Sequence, residues 1–226
     1  MSVQRKSSGV WQISTGGRRR RRANAPRLPP AQRRTQLLDA ALGVVARDGL
    51  ARLTMQSVAQ EAGVAKPVLY AMFPTAPELV AALLHREHAA GMAQVLAAMP
   101  ANLGGTDPDE EFVAAMMAFL GSVAADPPRW RLILLPGDGA PASYRELLGA
   151  ARDEMVGRAI ALLDDGLRLR GGPVEVEVDV ELIGHMTMGF AEVLGRMVLS
   201  DPRRFPPTRL RPAVRALLRT LPRTSG

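Results

Sequence analysis

Three side chains, Gln56, Lys66 and Tyr70, lie within a stretch of fifteen residues and have the chemistry to recognise a nucleic acid. Lys66 can donate to O6 or N7 of guanine, Gln56 can bond adenine in a bidentate manner, and Tyr70 can reach a phosphate or a base. Pro67 and Val68 can pack on a thymine methyl group. The alternative is a helical hairpin whose lysine and tyrosine are merely solvated. Base reading is therefore one hypothesis among two.

Catalytic and metal-binding patterns are weak by comparison. His85 and His88 lie one helical turn apart and His185 is distant in sequence, so a metal site can be imagined, but no HExxH-type spacing supports it. The absence of cysteine excludes a disulfide framework, a thiolate ligand and a cysteine nucleophile. No serine elbow, glycine-rich phosphate loop or pair of catalytic carboxylates is recognisable. We therefore expect no catalytic residue, no metal, no cofactor and no enzymatic activity.

The first element that must position these residues is a helix beginning near Ala31. Apolar residues four and three apart, Leu38, Leu42 and Val45, place one face of this helix against a core. Gly49 is a typical C-terminal stop. The sequence thus predicts a first helix that supports whatever follows it.

A helix-turn-helix is predicted next. Thr54 is a good N-cap for the second helix, and Gly63 can adopt the left-handed conformation that ends it. Pro67 is tolerated in the first turn of a third helix, which Leu69 and Phe73, four residues apart, anchor inward. In such a motif the start of the last helix enters the major groove of DNA.

Residues 53–83, LTMQSVAQEAGVAKPVLYAMFPTAPELVAAL, closely resemble the DNA-binding segment of the TetR family of transcriptional regulators. The matching positions are Thr54, Ala59, Ala62-Gly63-Val64, Leu69-Tyr70 and Phe73-Pro74-Thr75. The resemblance implies an all-α fold, with a three-helix DNA-binding domain followed by a larger helical ligand-binding and dimerisation domain. It also implies a homodimer that binds a palindromic operator in double-stranded DNA, most often as a repressor.

The resemblance also assigns DNA contacts. The residues expected to contact DNA are Thr54, Gln56, Lys66, Pro67, Val68, Tyr70 and Thr75. Three positions depart from the family pattern: Ala65 replaces a usual Ser or Thr cap, and Met72 and Ala76 replace residues that usually serve phosphates. Loss of such a cap costs about 0.5 to 2 kcal/mol. We therefore expect a weak grip on the DNA backbone.

A basic arm precedes the first helix. Ten of the 29 Lys and Arg residues and no acid lie in residues 1–34, so the remainder of the chain has 19 basic against 22 acidic residues. We interpret residues 1–30 as a disordered arm whose Arg18, Arg19, Arg20, Arg21 and Arg22 contact DNA. The alternatives are a solvated tail or a misassigned translation start.

The remaining helices are predicted from caps and breakers. Thr75 and Glu78 form a capping box for a fourth helix, so we place the DNA-binding domain at residues 31–76 and the regulatory domain at 77–226. Further helices are expected over 112–125, after Pro127, over 142–169, after an Asp179 cap, and after Pro207. The alternating segment 174–180 is interpreted as extended chain, because a strand without a partner is unstable.

Two apolar sets suggest further interfaces. The dimer interface is expected at Met186, Phe190, Val193 and Met197, within an apolar stripe that could instead be intramolecular core. A pocket for a small, largely apolar effector is expected at Met92, Met99, Met116, Met117, Trp130, Met155 and Met188, where plain core packing is the alternative.

The longest apolar run, residues 112–125, is shorter than the roughly 18 residues of a membrane span. With no signal peptide recognisable, we expect a cytoplasmic protein without a membrane partner. Two other classes of protein stay open: a helical ligand-binding protein or enzyme with a borrowed helix-turn-helix, and a nonspecific nucleic-acid-binding protein.

Overall fold

The computed structural model describes residues 28–99, 107–137, 140–169 and 179–219, and the regular elements in these ranges are all helical. The helices are α1 (Pro30–Asp48), α2 (Met55–Glu61), α3 (Lys66–Tyr70), α4 (Ala76–Ala98), α5 (Pro108–Ala125), α6 (Pro127–Leu134), α7 (Ala142–Leu169), α8 (Val180–Ser200) and α9 (Pro207–Arg219), with a 3-10 turn at Leu50–Arg52. The predicted all-α class is confirmed. The arm at residues 1–27 and the alternating segment up to residue 178 lie outside the described residues.

Local hydrogen bonds explain where several helices begin. Thr54 Oγ1 accepts from the Ser57 N–H, and Ser57 Oγ accepts from the Thr54 N–H, each at 3.0 Å, so α2 begins with a reciprocal capping box. Thr75 caps α4 by accepting from the Glu78 N–H at 3.3 Å. Here the box predicted from sequence is only half formed, because the Thr75 hydroxyl lies 2.9 Å from the Glu78 carboxylate and donates to it.

The first core joins α1, α2 and α3, which we call the head. Its buried residues include Leu37, Val44, Val58 and Leu69. The same core continues into α4 through Leu79 and Leu83, so the first turns of α4 pack as part of the head. Separation of the two domains at residue 76 stays a prediction, since the packing runs past that point.

The second core lies in the body, which consists of α5 to α9 and the rest of α4. Buried residues of α5, α6, α8 and α9 form this core, in which the rings of Trp130 and Phe119 meet in a T-shaped arrangement. Close helix contacts depend on glycine, because a Cβ at Gly184 of α8 would overlap Ile160 of α7. A Cβ at Gly195 would lie 2.7 Å from Leu134 Cδ1. Small residues therefore set the spacing around α8.

Head and body are connected by a chain of ion pairs centred on Glu87, which is only 1% exposed. Its carboxylate accepts from Arg86 Nε at 2.7 Å and from Arg129 Nε at 2.9 Å. Arg86 also bonds Asp39 of α1 at 2.7 Å, and Arg129 pairs with Asp126 at 2.7 Å. We call these five residues the Glu87 network; it links α1, α4 and the start of α6.

We predict that Glu87→Ala lowers the free energy of unfolding by about 3 kcal/mol, because it deprives a mostly buried guanidinium of a partner. This loss is at the lower end of the range for breaking a buried ion pair, because Arg129 retains its ion pair with Asp126. Urea denaturation measures the change. Asp39→Asn is the control: Asp39 is exposed, so its loss should cost less than about 1 kcal/mol. Equal stability of Glu87→Ala and the wild type would contradict the prediction.

Candidate DNA-binding surface and ligand cavity

The residues predicted to read bases come together on the outer face of α2 and α3. Gln56, Lys66, Pro67, Val68 and Tyr70 are all exposed, Tyr70 to 47%. Lys66 Nζ donates to Gln56 Oε1 at 3.2 Å, which joins the two helices at this surface. The surface therefore presents an amine, an amide, a phenol and two apolar side chains side by side. Contact of these residues with DNA stays a prediction.

The helix-turn-helix is held together by contacts on its inner side. Leu69 and Phe73 are buried, so α3 is anchored through the face opposite to Lys66 and Tyr70. Gly63 takes a φ of 64°, and the Val64 N–H donates to Ala59 O at 3.0 Å. This left-handed conformation is one that glycine adopts without strain. The turn thus fixes α3 relative to α2.

A further residue, Gln36 of α1, ties the turn to the head. Gln36 Nε2 donates to Ala62 O at 3.1 Å, and Arg33 in turn bonds Gln36 at 2.6 Å. Arg34 lies over the Phe73 ring, 4.8 Å from its centroid. Sequence reasoning missed Gln36, because a glutamine in the middle of a helix gives no signal for a partner 26 residues away.

The other predicted DNA contacts are placed less directly. Thr54 and Thr75 are exposed, and both hydroxyls take part in helix caps. Ala65, which stands where the family usually has Ser or Thr, has no hydroxyl and provides no side-chain cap to α3. Arg18, Arg19, Arg20, Arg21 and Arg22 lie outside the described residues.

A cavity of about 430 Å³ lies in the body, between α4, α5, α6, α7 and α8. This volume is in the range of sites for small organic molecules. Six of the seven residues predicted for the pocket line it: Met92, Met99, Met116, Trp130, Met155 and Met188. Met117 is a correction: it does not line the cavity, and its side chain packs against the second core.

The cavity wall contains polar groups that sequence reasoning did not assign to it. His88 of α4 lines it and is 9% exposed. Burial, and to a lesser extent the charge of His85, lowers the pKa of His88, so its imidazole is neutral near pH 7. On the α7–α8 side, Arg152 donates to Glu192 at 2.8 Å and Arg196 lies 3.6 Å from the same carboxylate. Within the described ranges, no group of three His, Asp or Glu side chains could hold a metal ion.

The residues of the predicted dimer stripe on α8 differ in exposure. Met186 and Val193 are 60% and 48% exposed, and Leu182 lies on the same exposed face. Phe190 and Met197 are half-buried and also contact the second core, so their part in a dimer interface stays a prediction. Exposed apolar side chains in a row on one helix are typical of a surface that another protein covers.

The family model described as "Bacterial regulatory proteins, tetR family" matches residues 37–83, which contain most of α1, all of α2 and α3, and the start of α4. Residues 37–83 thus match the DNA-binding segment of the tetR family. A TetR-like transcriptional regulator from Rhodococcus sp. RHA1 has the same fold, with a TM-score of 0.69 and 25% identity over 84% of this chain and 96% of that chain. The SmeT–triclosan complex, 19% identical with a TM-score of 0.63 over 82% of this chain and 89% of that chain, shares the fold.

Transcriptional regulators of two mycobacteria are also similar to this chain in sequence. An uncharacterized HTH-type transcriptional regulator of Mycobacterium tuberculosis is 26% identical over 195 residues, which are 84% of this chain and 76% of that protein. The HTH-type transcriptional activator FasR of Mycolicibacterium smegmatis is 37% identical over 121 residues, about half of each protein. The chain is therefore a DNA-binding transcriptional regulator. In the ranges described, no helix is long and apolar enough to cross a membrane.

His88 makes the stability of this protein depend on pH. Its pKa is lower in the folded protein than the ordinary value of 6.5, so below about pH 6.5 the unfolded chain binds a proton that the folded chain does not. We predict that the stability contributed by His88 is lost as pH falls below this value. Comparing urea denaturation at pH 7.5 and 5.5, His88→Gln should lose less stability than the wild type. His185→Gln, at an exposed position on α8, is the control, because His185 is not among the causes of the His88 shift; a wild-type-like loss in His88→Gln would contradict the prediction.

Proposed function

We propose that this TetR-family regulator binds a palindromic operator as a homodimer, represses transcription there, and releases the DNA when a small, largely apolar effector enters the body. The observation that carries the proposal is the double role of α4. Its first turns, with Leu79 and Leu83, pack in the head, and its later turns, with His88 and Met92, line the cavity. A ligand in the cavity therefore contacts the same helix that supports the DNA-binding surface.

Base reading is assigned to the exposed face of α3. Lys66, Val68 and Tyr70 are exposed there, whereas Leu69 between them is buried. This arrangement leaves the polar and small apolar groups available for base edges while the helix stays anchored. In the unbound protein Lys66 is 3.2 Å from Gln56, so both side chains can exchange this bond for contacts to bases. We propose that the arginine-rich arm adds contacts to phosphates.

The homodimer is assigned to the exposed face of α8. Leu182, Met186 and Val193 are four and seven residues apart, so they form one apolar row along the helix. Two such rows, related by a two-fold axis, would cover each other. A palindromic operator requires this symmetry, because each half-site must meet an identical head.

Repression is the proposed direction of regulation, because a dimer bound at an operator blocks the promoter without further contacts. Activation is the second candidate, and the match to FasR, whose name describes it as an activator, favours it. A reporter driven by the bound promoter decides between them: expression that rises on deletion of the regulator supports repression, and expression that falls supports activation.

The DNA-binding proposal is tested by selecting bound duplexes from a random pool and measuring affinity for the selected site. We predict a palindrome, and we predict that Lys66→Ala weakens binding to it by about 1 to 3 kcal/mol because a base contact is lost. Arg168→Ala, which removes an exposed charge from α7, is the matched control and should change binding little.

Binding to unrelated duplexes separates this proposal from its alternatives. A base-reading Lys66 should matter less there than on the palindrome. Equal loss on every sequence would assign Lys66 to nonspecific binding, and a pool without any enriched sequence would favour the nonspecific class of protein. No duplex binding at all would leave only the ligand-binding or enzyme class.

The dimer prediction concerns Met186→Glu and Val193→Glu. Each places a charge in the middle of the apolar row, so we expect the dimer to dissociate at least about 30-fold more readily, as for a central interface residue. Analytical ultracentrifugation over a concentration series measures this. Leu135→Glu is the control, since Leu135 is an exposed leucine outside α8. A wild-type-like dimer in both α8 variants would move the interface elsewhere.

The effector prediction uses neighbouring alanines of α5. Ala115 lines the cavity, whereas Ala114 is exposed and does not. Ala115→Phe should fill part of the cavity and weaken the response to an effector about 10-fold, whereas Ala114→Phe should leave it unchanged. The measurement is operator release in a screen of small apolar compounds. If Ala115→Phe responds to an active compound as the wild type does, the effector binds at another site.

A further inference from the structure

Two unpaired polar atoms lie on residues that line the cavity. Among the described residues, His88 Nε2, Gln94 Oε1 and Trp130 Nε1 are buried and have no hydrogen-bond partner. His88 and Trp130 are cavity residues, on α4 and α6 respectively. Buried polar atoms in native proteins are nearly always paired, and those that are not call for an explanation. Both atoms are covered by neighbouring side chains, so a group in the cavity can pair with them only when those side chains move.

The indole of Trp130 is held in a fixed position. The Phe119 ring meets it edge-on, with ring centroids 5.2 Å apart and an interplanar angle of 85°. Trp130 Cη2, on the six-membered ring, would lie 3.8 Å from a Cβ at Gly91, three residues after His88 on α4. The indole ring therefore packs beside the helix that carries His88, and these contacts restrict its rotation.

The chemistry of these two groups specifies what can pair with them. The indole nitrogen is a donor only, so it requires an acceptor. The neutral imidazole of His88 can provide a second donor at Nε2 in the tautomer that carries its proton there. Burial disfavours a charge at this position, so an ionised group is a poor partner. Flexible methionines in the wall, Met92 and Met116, can move aside to admit a ligand atom.

The charged groups of the wall are already engaged elsewhere. Glu192 pairs with Arg152 at 2.8 Å and lies 3.6 Å from Arg196. An anionic ligand would have to replace Glu192 in these pairs, whereas an uncharged acceptor at Trp130 replaces nothing. The unpaired donors therefore favour a neutral ligand over an acidic one.

We propose that the effector is an uncharged, largely apolar molecule with a carbonyl oxygen, and that this oxygen accepts from Trp130 Nε1–H and from His88 Nε2–H. The inference rests on the proposed function, since it assigns the chemical class of the effector for the same cavity. Trp130 and His88 are then specificity-determining residues: the methionines select an apolar body, and the two donors select its oxygen.

The test uses pairs of probes that differ only by a carbonyl in place of a methylene: acetophenone with ethylbenzene, benzophenone with diphenylmethane, and 6-undecanone with undecane. Titration calorimetry on the full chain gives the affinity of each. We expect the ketone of at least one pair to bind about 3- to 10-fold more tightly than its hydrocarbon, as for one net hydrogen bond. In Trp130→Phe this ratio should fall to about one while the hydrocarbon still binds. Met116→Leu, which changes only the apolar wall, should preserve the ratio.

A nuclear magnetic resonance measurement on the wild type makes the test independent of any variant. The chain has two tryptophans, so its ¹⁵N spectrum has two indole N–H signals, and Trp11→Phe assigns them. The Trp130 proton should move downfield with the ketone and not with the hydrocarbon. No shift, or equal affinities within every pair that binds, would overturn this inference alone. Tighter binding of diphenylacetate than of benzophenone would also overturn it. If none of the six probes binds, the cavity is not the effector site, and both the effector part of the proposed function and this inference are wrong.

Discussion

The carboxylate of Glu87 is the constraint on which the arrangement of head and body depends. A charge this deeply buried is stable only if it is paired, so Arg86 and Arg129 must stay close to it. Arg86 in turn holds Asp39 of α1, and Arg129 holds Asp126 at the start of α6. Three helices from two parts of the fold are thereby kept in one relative position. An apolar residue at position 87 would leave Arg86 and Arg129 without this partner and would remove the ion pairs that join the three helices.

The Glu87 network also lies directly beside the cavity. His88 follows Glu87 on α4 and Trp130 follows Arg129 on α6, and both of these neighbours line the cavity. Any movement of α4 or α6 that a ligand causes must therefore strain or rearrange the buried ion pairs, which have few alternative geometries. In the proposed mechanism, the ion pairs therefore convert a small displacement of α4 or α6 into a switch between two discrete arrangements of the helices. The ligand acts to the extent that it binds one arrangement better than the other.

Sequence reasoning succeeded where the determinants were local and was limited where they were not. The caps at Thr54 and Asp179 and the bounds of α7 follow from side chains within a few residues, and the structure has them as expected. The Glu87–Arg129 pair joins residues 42 apart, which no local pattern reveals. Met117 was assigned to the cavity together with the other methionines, and because α5 is apolar on all sides over much of its length, the sequence did not indicate which of its methionines turns toward the cavity. On α8 the sequence likewise did not indicate that Met186 is exposed while Phe190 contacts the second core.

A weak grip of a single head on DNA is expected from the same local sequence, and it would give the proposed dimer its role. The recognition helix α3 has five residues and no side-chain cap, and Met72 and Ala76 offer no charge to phosphates. One head alone would therefore hold DNA loosely. Two heads on one rigid body bind almost as a single event, because the second is held near its half-site at high effective concentration. That gain exists only while the spacing of the heads matches the operator. A regulator built from weak heads is consequently released by a modest change of spacing, whereas strong heads would stay bound one at a time.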